Sequence, residues 1–199
     1  MENIHPIFDR LVQRRDREQL LRQRGKVVWL TGLSGSGKST IAQHLERRLH
    51  NEGFLAQVLD GDNVRSGINN NLGFSEADRT ENIRRIAEVA KLYLHSGIIT
   101  INSFISPTRA IRQSVREIVG EKDFLEIFID APLAVCEQRD VKGLYARARK
   151  GEIKNFTGLD APYEAPEKPD LLIATDKTDV VEAVDQLYHF LMPHIQYTI

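Results

Sequence analysis

The chain carries a single cysteine, Cys136, so no disulfide can form within it. A fold that stands without that staple suits a reducing compartment, and a cytoplasmic location is the expectation. Excess charge is also missing: 27 Lys and Arg against 28 Asp and Glu leave a net charge of −1. That balance argues against a general nucleic-acid or membrane-surface binder, although a local basic patch stays compatible with it. No apolar run reaches the length of a transmembrane helix, and the opening MENIHPIFDR does not read as a secretion signal. Internal repeats and low-complexity tracts are absent too. What is left is a 199-residue chain, 41% hydrophobic, which is enough for one well-buried soluble domain. The lone thiol lies in the apolar stretch APLAVCEQR, a setting for a packed core cysteine rather than a nucleophile.

Short apolar runs at 27–31, 56–59, 98–102, 125–130 and 171–175 read as strands. Helical patterns alternate with them at about 39–52, 76–95, 108–119 and 179–192. Ser75 is placed to cap the second of these helices, with Asp78 as an imperfect capping-box partner. Ahead of them, residues 4–24 set Ile4, Ile7, Phe8, Leu11, Leu20 and Leu21 among arginines, as in an amphipathic helical arm. The expected organisation is an arm over 1–24 and one domain over 25–199. Its fold class is α/β, and with Gly-x-x-x-x-Gly-Lys-Ser at 32–39 directly behind the first strand it is P-loop kinase-like: a three-layer fold with a five-stranded, mostly parallel sheet covered on both faces. The stretch of about 140–168, rich in Gly, Lys, Arg and Pro, lacks periodicity and reads as a mobile lid.

Ligands on such a sheet bind beyond the carboxyl ends of the strands, so the residues after each strand matter most. After the first comes GLSGSGKST, which satisfies Gly-x-x-x-x-Gly-Lys-Ser in a strand-to-helix setting. Gly32, Leu33, Ser34, Gly35, Ser36 and Gly37 would turn main-chain N–H groups inward around the phosphates of ATP. Lys38 would reach the terminal phosphates, the Ser39 hydroxyl would ligate Mg²⁺, and Thr40 would close the loop. After the second strand, DGDNVR sets Asp60 and Asp62 about one glycine, suited to metal and base work, with an Asp-Gly turn as the plainer alternative. After the third, Ser106-Pro107 in SFISPTR offers either a catalytic serine or a helix N-cap followed by proline. The fourth closes on Asp130 in FLEIFIDAP, which resembles a Walker-B strand and rivals Asp60 for the metal shell. Then Arg139, Lys142, Arg147, Arg149, Lys150 and Lys154 gather with Tyr145 and Phe156. A solvated loop would carry such charges, but opposite a phosphate site the set suits an anionic substrate with a flat ring.

From about Lys26 to about His194 the chain resembles the adenylyl-sulfate kinases. The resemblance rests on GLSGSGKST, LDGDNVR, NLGFSEADRTENIRR, SFISP and, most specifically, CEQRDVKGLYARARKGEIKNFTGLDAPYE. It implies transfer of the ATP γ-phosphate to the 3′-hydroxyl of adenylyl sulfate, giving 3′-phosphoadenylyl sulfate and ADP with Mg²⁺ as cofactor. Family roles carried to matching positions make Asp62 the carboxylate nearest the acceptor hydroxyl, beside Asn63. Arg65, Arg79 and Asn82 become ligands of the phosphosulfate and nucleoside, and Phe74 and Phe156 the two faces of an adenine sandwich. Ile105 and Ser106 border the substrate, Lys142 enters from the lid, and Lys154 and Asn155 flank the second aromatic. Thr178, in ATDKTD, would edge the ATP adenine.

The same family describes the serine matching Ser106 as a phosphorylated intermediate. In-line transfer to a hydroxyl that the substrate itself brings needs alignment and cations, not a covalent relay. The lid reads LYARARKGE where many relatives read LYKKARAGE, so Ala146 and Arg147 replace two lysines, a change expected to touch lid kinetics more than activity. Sulfate adenylylation would fall to a separate sulfate adenylyltransferase. Oligomeric state is left open, a homodimer included; neither nucleic acid nor membrane is an expected partner. A kinase of a small carboxylic or sugar acid would share the P-loop and the Asp-x-Asp without needing paired phenylalanines. A nucleotide-dependent switch would find an echo in DKTD, but Asp130 is followed by Ala-Pro-Leu where such a protein keeps a glycine.

Overall fold

In β1 (Val27–Thr31) alternate side chains leave on opposite faces: Val28 and Leu30 enter one hydrophobic core, Val27 and Trp29 the other. All four are fully buried. A strand apolar on both faces must be covered from both sides, which a parallel sheet with crossover helices achieves. The computed structural model describes residues 3–198 and shows that arrangement.

Along the chain come α1 (Arg14–Leu21), β1, α2 (Lys38–Asn51), β2 (Ala56–Asp60), α3 (Gly61–Ser66), α4 (Glu76–His95) and β3 (Ile99–Ser103). They are followed by α5 (Arg109–Val119), β4 (Phe124–Asp130), α6 (Leu133–Arg139), α7 (Leu144–Arg149), β5 (Leu171–Ala174) and α8 (Val180–Ile195). Among the described residues the five strands form one parallel sheet in the order β2-β3-β1-β4-β5. Helices α2 and α8 fill one face with Leu45, Leu49, Leu187 and Leu191. The other face is filled from α4 and α5 by Ile86, Ala90 and Val115. The register sets Asp60 beside Ser103, Leu30 beside Ser103 and Thr31 beside Phe128, so the ends of four strands form one rim.

Ser75 caps α4 as expected: its hydroxyl accepts from the Asp78 N–H at 3.1 Å and donates to the Asp78 carboxylate at 2.7 Å. Other boundaries differ from the sequence reading. DGDNVR is neither an open loop nor a simple turn but α3, whose first turn is capped by Asp60 accepting from the Asp62 N–H at 3.0 Å. Ser106-Pro107 is not the start of α5. Thr108 is the cap, its hydroxyl accepting from the Ile111 N–H at 3.2 Å, and the helix begins at Arg109. The segment expected to be irregular contains α7 and belongs to a third small core of Ala131, Cys136, Tyr145 and Phe156 packed with Leu33. Cys136 is fully buried there, a packed thiol as read from its apolar surroundings.

The N-terminal arm also departs from expectation. It is helical only in α1 after one 3-10 turn at Phe8–Arg10, buries no residue in either, and leaves Ile4, Ile7, Phe8, Leu11 and Leu20 exposed. Polar contacts hold it instead. Arg14 donates to Asp123 at 2.6 Å, to Glu18 at 2.7 Å and to the Gly25 carbonyl at 3.0 Å. The buried Gln23 amide donates to the carbonyls of Leu55 and Gly97 at 2.9 and 2.8 Å. Burial pushes the Asp123 carboxyl up, but hydrogen bonds from Arg14 and Lys26 more than offset this and hold it below its ordinary value. Asp123→Ala takes the shared carboxylate from both cations and is expected to lose about 1.5–3 kcal/mol of stability, the range for hydrogen bonds to charged groups. Trypsin should then cut at Arg22 and Arg24 ahead of the rest of the chain; an unaltered digestion pattern would mean that the arm is held elsewhere.

Candidate active site

The rim of the sheet is dominated by the loop after β1. Gly32 (φ 152°) lies so close to β4 that a Cβ there would stand 2.3 Å from the Ile129 carbonyl. No other residue fits this turn. Lys38 opens α2 from inside the loop, with its ammonium donating to the carbonyls of Gly32 and Leu33 at 2.9 and 2.7 Å. Burial pushes its pKa down to about 8, because two neutral carbonyls compensate a buried cation poorly. Ser36 Oγ is buried without a partner among the described residues. Two elements brace the loop. Thr175, just past β5, donates to the Ser36 carbonyl at 2.7 Å. Arg139 reaches the Gly35 carbonyl at 3.3 Å and the Thr175 carbonyl at 2.6 Å. Thr178 lies three residues beyond Thr175, half-buried, ahead of the Asp179 cap of α8.

Beside the loop, the Ser39 hydroxyl donates to Asp60 Oδ2 at 2.6 Å and lies 3.2 Å from Ser103 Oγ. The rival acid, Asp130, uses its main-chain carbonyl to bind the Thr175 N–H at 2.8 Å, and its carboxylate has no hydrogen bond among the described residues. No group of three or more His, Cys, Asp or Glu positioned for a metal occurs among the described residues. A hydroxyl and a carboxylate in contact fit a hard cation such as Mg²⁺ that takes its other ligands from water and phosphate.

The far side of the rim is cationic. Lys142 makes an ion pair with Asp62, both side chains being more than half exposed. Arg79 donates to the Phe74 carbonyl at 3.0 Å, to Thr157 Oγ1 at 2.9 Å and to the Asn155 carbonyl, and so joins the two aromatic-bearing turns. Asp160 shapes the second of these by accepting from the N–H groups of Asn155 and Phe156. The Arg65 guanidinium stands 4.5 Å above the Phe74 ring centroid. Burial pushes both Arg65 and Arg79 below their ordinary pKa, and for Arg65 the neighbouring Arg79 charge adds to the effect. A cavity of about 510 Å³ opens between Leu33 and residues 158–163.

The phenylalanines do not form an open sandwich. Phe74 is exposed under its guanidinium cover, while Phe156 is 8% exposed with its ring edge-on to Tyr145, centroids 4.9 Å apart. With no base between them, one ring packs into the third core and a cation covers the other. Asn82 is buried, its side-chain oxygen accepting from Asn69 at 3.0 Å. Asn63, Lys154 and Asn155 are exposed, and Thr40 is an exposed residue of α2. The Ile105 carbonyl accepts from Thr31 at 2.7 Å.

Ser106 is where a catalytic role fits least. Its side chain is 2% exposed, and its hydroxyl accepts from the Trp29 indole N–H at 3.0 Å and donates to Thr31 Oγ1 at 3.2 Å. Its φ of +40° is a left-handed conformation rare outside glycine. The hydroxyl fastens a turn through Trp29 and Thr31. Arg139, Thr175 and Asp160 had drawn no assignment beyond Arg139 being one cation of a cluster. Their partners are main-chain atoms, for which no sequence pattern exists.

A glycine-rich loop enclosing a buried lysine, a Ser–Asp pair at its edge and a cationic acceptor side define a P-loop phosphotransferase. The sequence profile of the adenylylsulphate kinase family matches residues 24–174, and the chain belongs to that family. It is 62% identical over 193 residues to an adenylyl-sulfate kinase of Bacteroides fragilis, covering 97% of this chain and 96% of the relative. Among solved structures it is similar to the Mycobacterium tuberculosis APS kinase in complex with AMPPNP and APS. That likeness has a TM-score of 0.82 and 48% identity over 84% of this chain and 98% of the other. A Sinorhizobium meliloti gluconokinase shares the fold alone, with a TM-score of 0.57 and 18% identity over 85% of this chain and 93% of that one.

Ser106→Ala is expected to keep substantial turnover, with any deficit mainly in KM for the acceptor. It leaves the Trp29 N–H unpaired and should cost about 1–3 kcal/mol of stability, the penalty for a buried unsatisfied donor. Mass spectrometry after incubation with ATP alone decides the point: phosphate on Ser106 that chases into product at the turnover rate would refute it.

Proposed function

We propose that this chain is an adenylyl-sulfate kinase, transferring the γ-phosphate of ATP to the 3′-hydroxyl of adenylyl sulfate to give 3′-phosphoadenylyl sulfate and ADP. The observation that carries this reading is Arg79 joining the Phe74 and Asn155–Thr157 turns beside Arg65. Both guanidinium groups are short of negative charge there, which suits a phosphosulfate, and the aromatics beside them suit its purine. A small sugar acid would need neither.

The roles follow from the geometry. Loop N–H groups and Lys38 hold the triphosphate, and bound phosphate supplies the counter-charge that the Lys38 ammonium lacks among carbonyls. Ser39 and Asp60 would hold Mg²⁺, which would supply positive charge against the negative charge of the transferring phosphoryl group. Asp62 takes the proton of the acceptor hydroxyl, and Lys142 pairs with that carboxylate from the lid side. Segment 140–168 acts as the lid that brings Lys142 and Phe156 onto the acceptor and excludes water. Residues 25–199 make up the catalytic domain and 1–24 an appended arm. Among the described residues no helix is long and apolar enough to cross a membrane.

ADP release measured with adenylyl sulfate, AMP, shikimate and gluconate as acceptors tests the assignment. Turnover is expected with adenylyl sulfate; turnover with gluconate or shikimate in its place would overturn the reading. Asp62→Asn keeps shape but cannot take the proton, so kcat should fall by roughly 10²–10⁴ while substrate affinity changes little. Should Asp60→Asn alone abolish turnover with its Mg²⁺ dependence unchanged, the two acids have been assigned in reverse.

A further inference from the structure

Arg112, on the inner side of α5, is 2% exposed, and each of its three side-chain nitrogens has a partner. Nε binds the Glu126 carboxylate at 2.6 Å, one terminal nitrogen the Ser106 carbonyl at 2.7 Å, and the other the Glu164 carbonyl at 2.6 Å. Two more bonds tie the same places together. The Glu164 N–H donates to the Pro107 carbonyl, and the Glu164 carboxylate accepts from the Arg109 N–H, both at 2.8 Å. Next to Glu164, Tyr163 lines the cavity near Leu33, stacks on Phe128 and lies 3.0 Å from Thr31 Oγ1, the hydroxyl that also binds Ser106.

One guanidinium therefore spans two walls of the acceptor side, the Ile105–Ser106 turn and the stem on which the lid segment returns to the sheet. The turn needs such a hold. A non-glycine residue at positive φ, as Ser106 is, is strained and persists only where its surroundings over-determine it. The carbonyl of that strained residue is what Arg112 grips. A lysine could not do this, because the three acceptors are each taken by a different nitrogen of the guanidinium fork, and a lysine has a single ammonium.

We propose that Arg112 is a positioning residue that locks the Ser106 turn to the Tyr163–Glu164 stem, and so sets affinity for the acceptor without touching ATP. The inference rests on the kinase reading above for the identity of that acceptor. Arg112→Met alone would leave the buried Glu126 carboxylate only its longer contact with Arg116 at 3.7 Å, so the informative variant is Arg112→Met with Glu126→Gln, beside Arg112→Lys. In steady-state assays the double variant should raise KM for adenylyl sulfate by about tenfold or more, as expected when a positioning group is lost. KM for ATP should stay within about twofold, and Arg112→Lys should restore only part of the acceptor affinity. A role in stability alone would lower Tm and leave both KM values where they were, which would overturn the proposal.

Should neither variant fold, the unaltered protein still decides. The amides of Arg109 and Glu164 are expected to exchange with deuterium at one common rate and to slow together when adenylyl sulfate is added. Independent rates, or slowing by ATP alone, would refute the coupling. Absence of any turnover with adenylyl sulfate would refute the kinase reading instead, and the common rate in the ligand-free chain would stand or fall separately.

Discussion

The two-sided burial of β1 is the constraint on which the rest depends. Val27 and Trp29 on one face and Val28 and Leu30 on the other leave this strand no solvent side, so helices must cover both. With β1 at the centre, between β3 and β4, the loop that leaves it meets the ends of both neighbours. Gly32 presses on the Ile129 carbonyl from β4, and Ser39 lies against Ser103 from β3. Trp29 extends the same logic to the acceptor side. Its indole N–H, delivered from the second core, is what turns the Ser106 hydroxyl inward.

Electrostatically the site is prepared for negative charge that the protein does not itself supply. Lys38 has carbonyls for company, and Arg65 and Arg79 are pushed below their ordinary pKa by burial. By contrast, Arg112 has Glu126 and Arg14 has Asp123, each at 2.6 Å. Arg112 and Arg14, which hold the framework, carry their own carboxylates, whereas Lys38, Arg65 and Arg79 make no ion pair among the described residues, a state suited to an arriving phosphate or phosphosulfate. Desolvation weakens a lone buried charge and strengthens its attraction to an arriving anion, so the same burial serves binding.

How far the sequence revealed this depended on the range of the interaction. All five strands and the four long helices were legible because their periodicity is local and β1, β3 and β4 are buried almost continuously. The Ser75 cap was legible for the same reason, as its partner is three residues away. Short helices such as α3 and α7 span at most two turns, too little for a period to emerge. At the site, the phosphate loop and the Asp-x-Asp were visible as motifs, but that Ser39 lies beside Asp60 could be read only from the fold. The placement of Phe156 against Tyr145 and the Arg112 fork could not be read. Arg112 reaches 52 residues along the chain to Glu164, and two of its three partners are carbonyls that every residue possesses.

The third core shows why the lid and the phosphate loop cannot be treated as separate devices. Cys136, Tyr145 and Phe156 pack with Leu33, a residue of the loop itself. The Tyr145 hydroxyl donates to the Ser34 carbonyl at 2.9 Å, and a Cβ on Gly158 would meet the Leu33 side chain at 2.9 Å. Interiors packed at this density do not deform locally, so a displacement of Leu33 has to be shared by α7 and by the turn that carries Phe156. Phe156 is also the aromatic that packs away on Tyr145, while Phe74 is covered by Arg65 instead. Its position is thus tied through Tyr145 to the main chain that encloses Lys38, and the arrangement of the phosphate loop bears directly on whether the second face of a purine site exists.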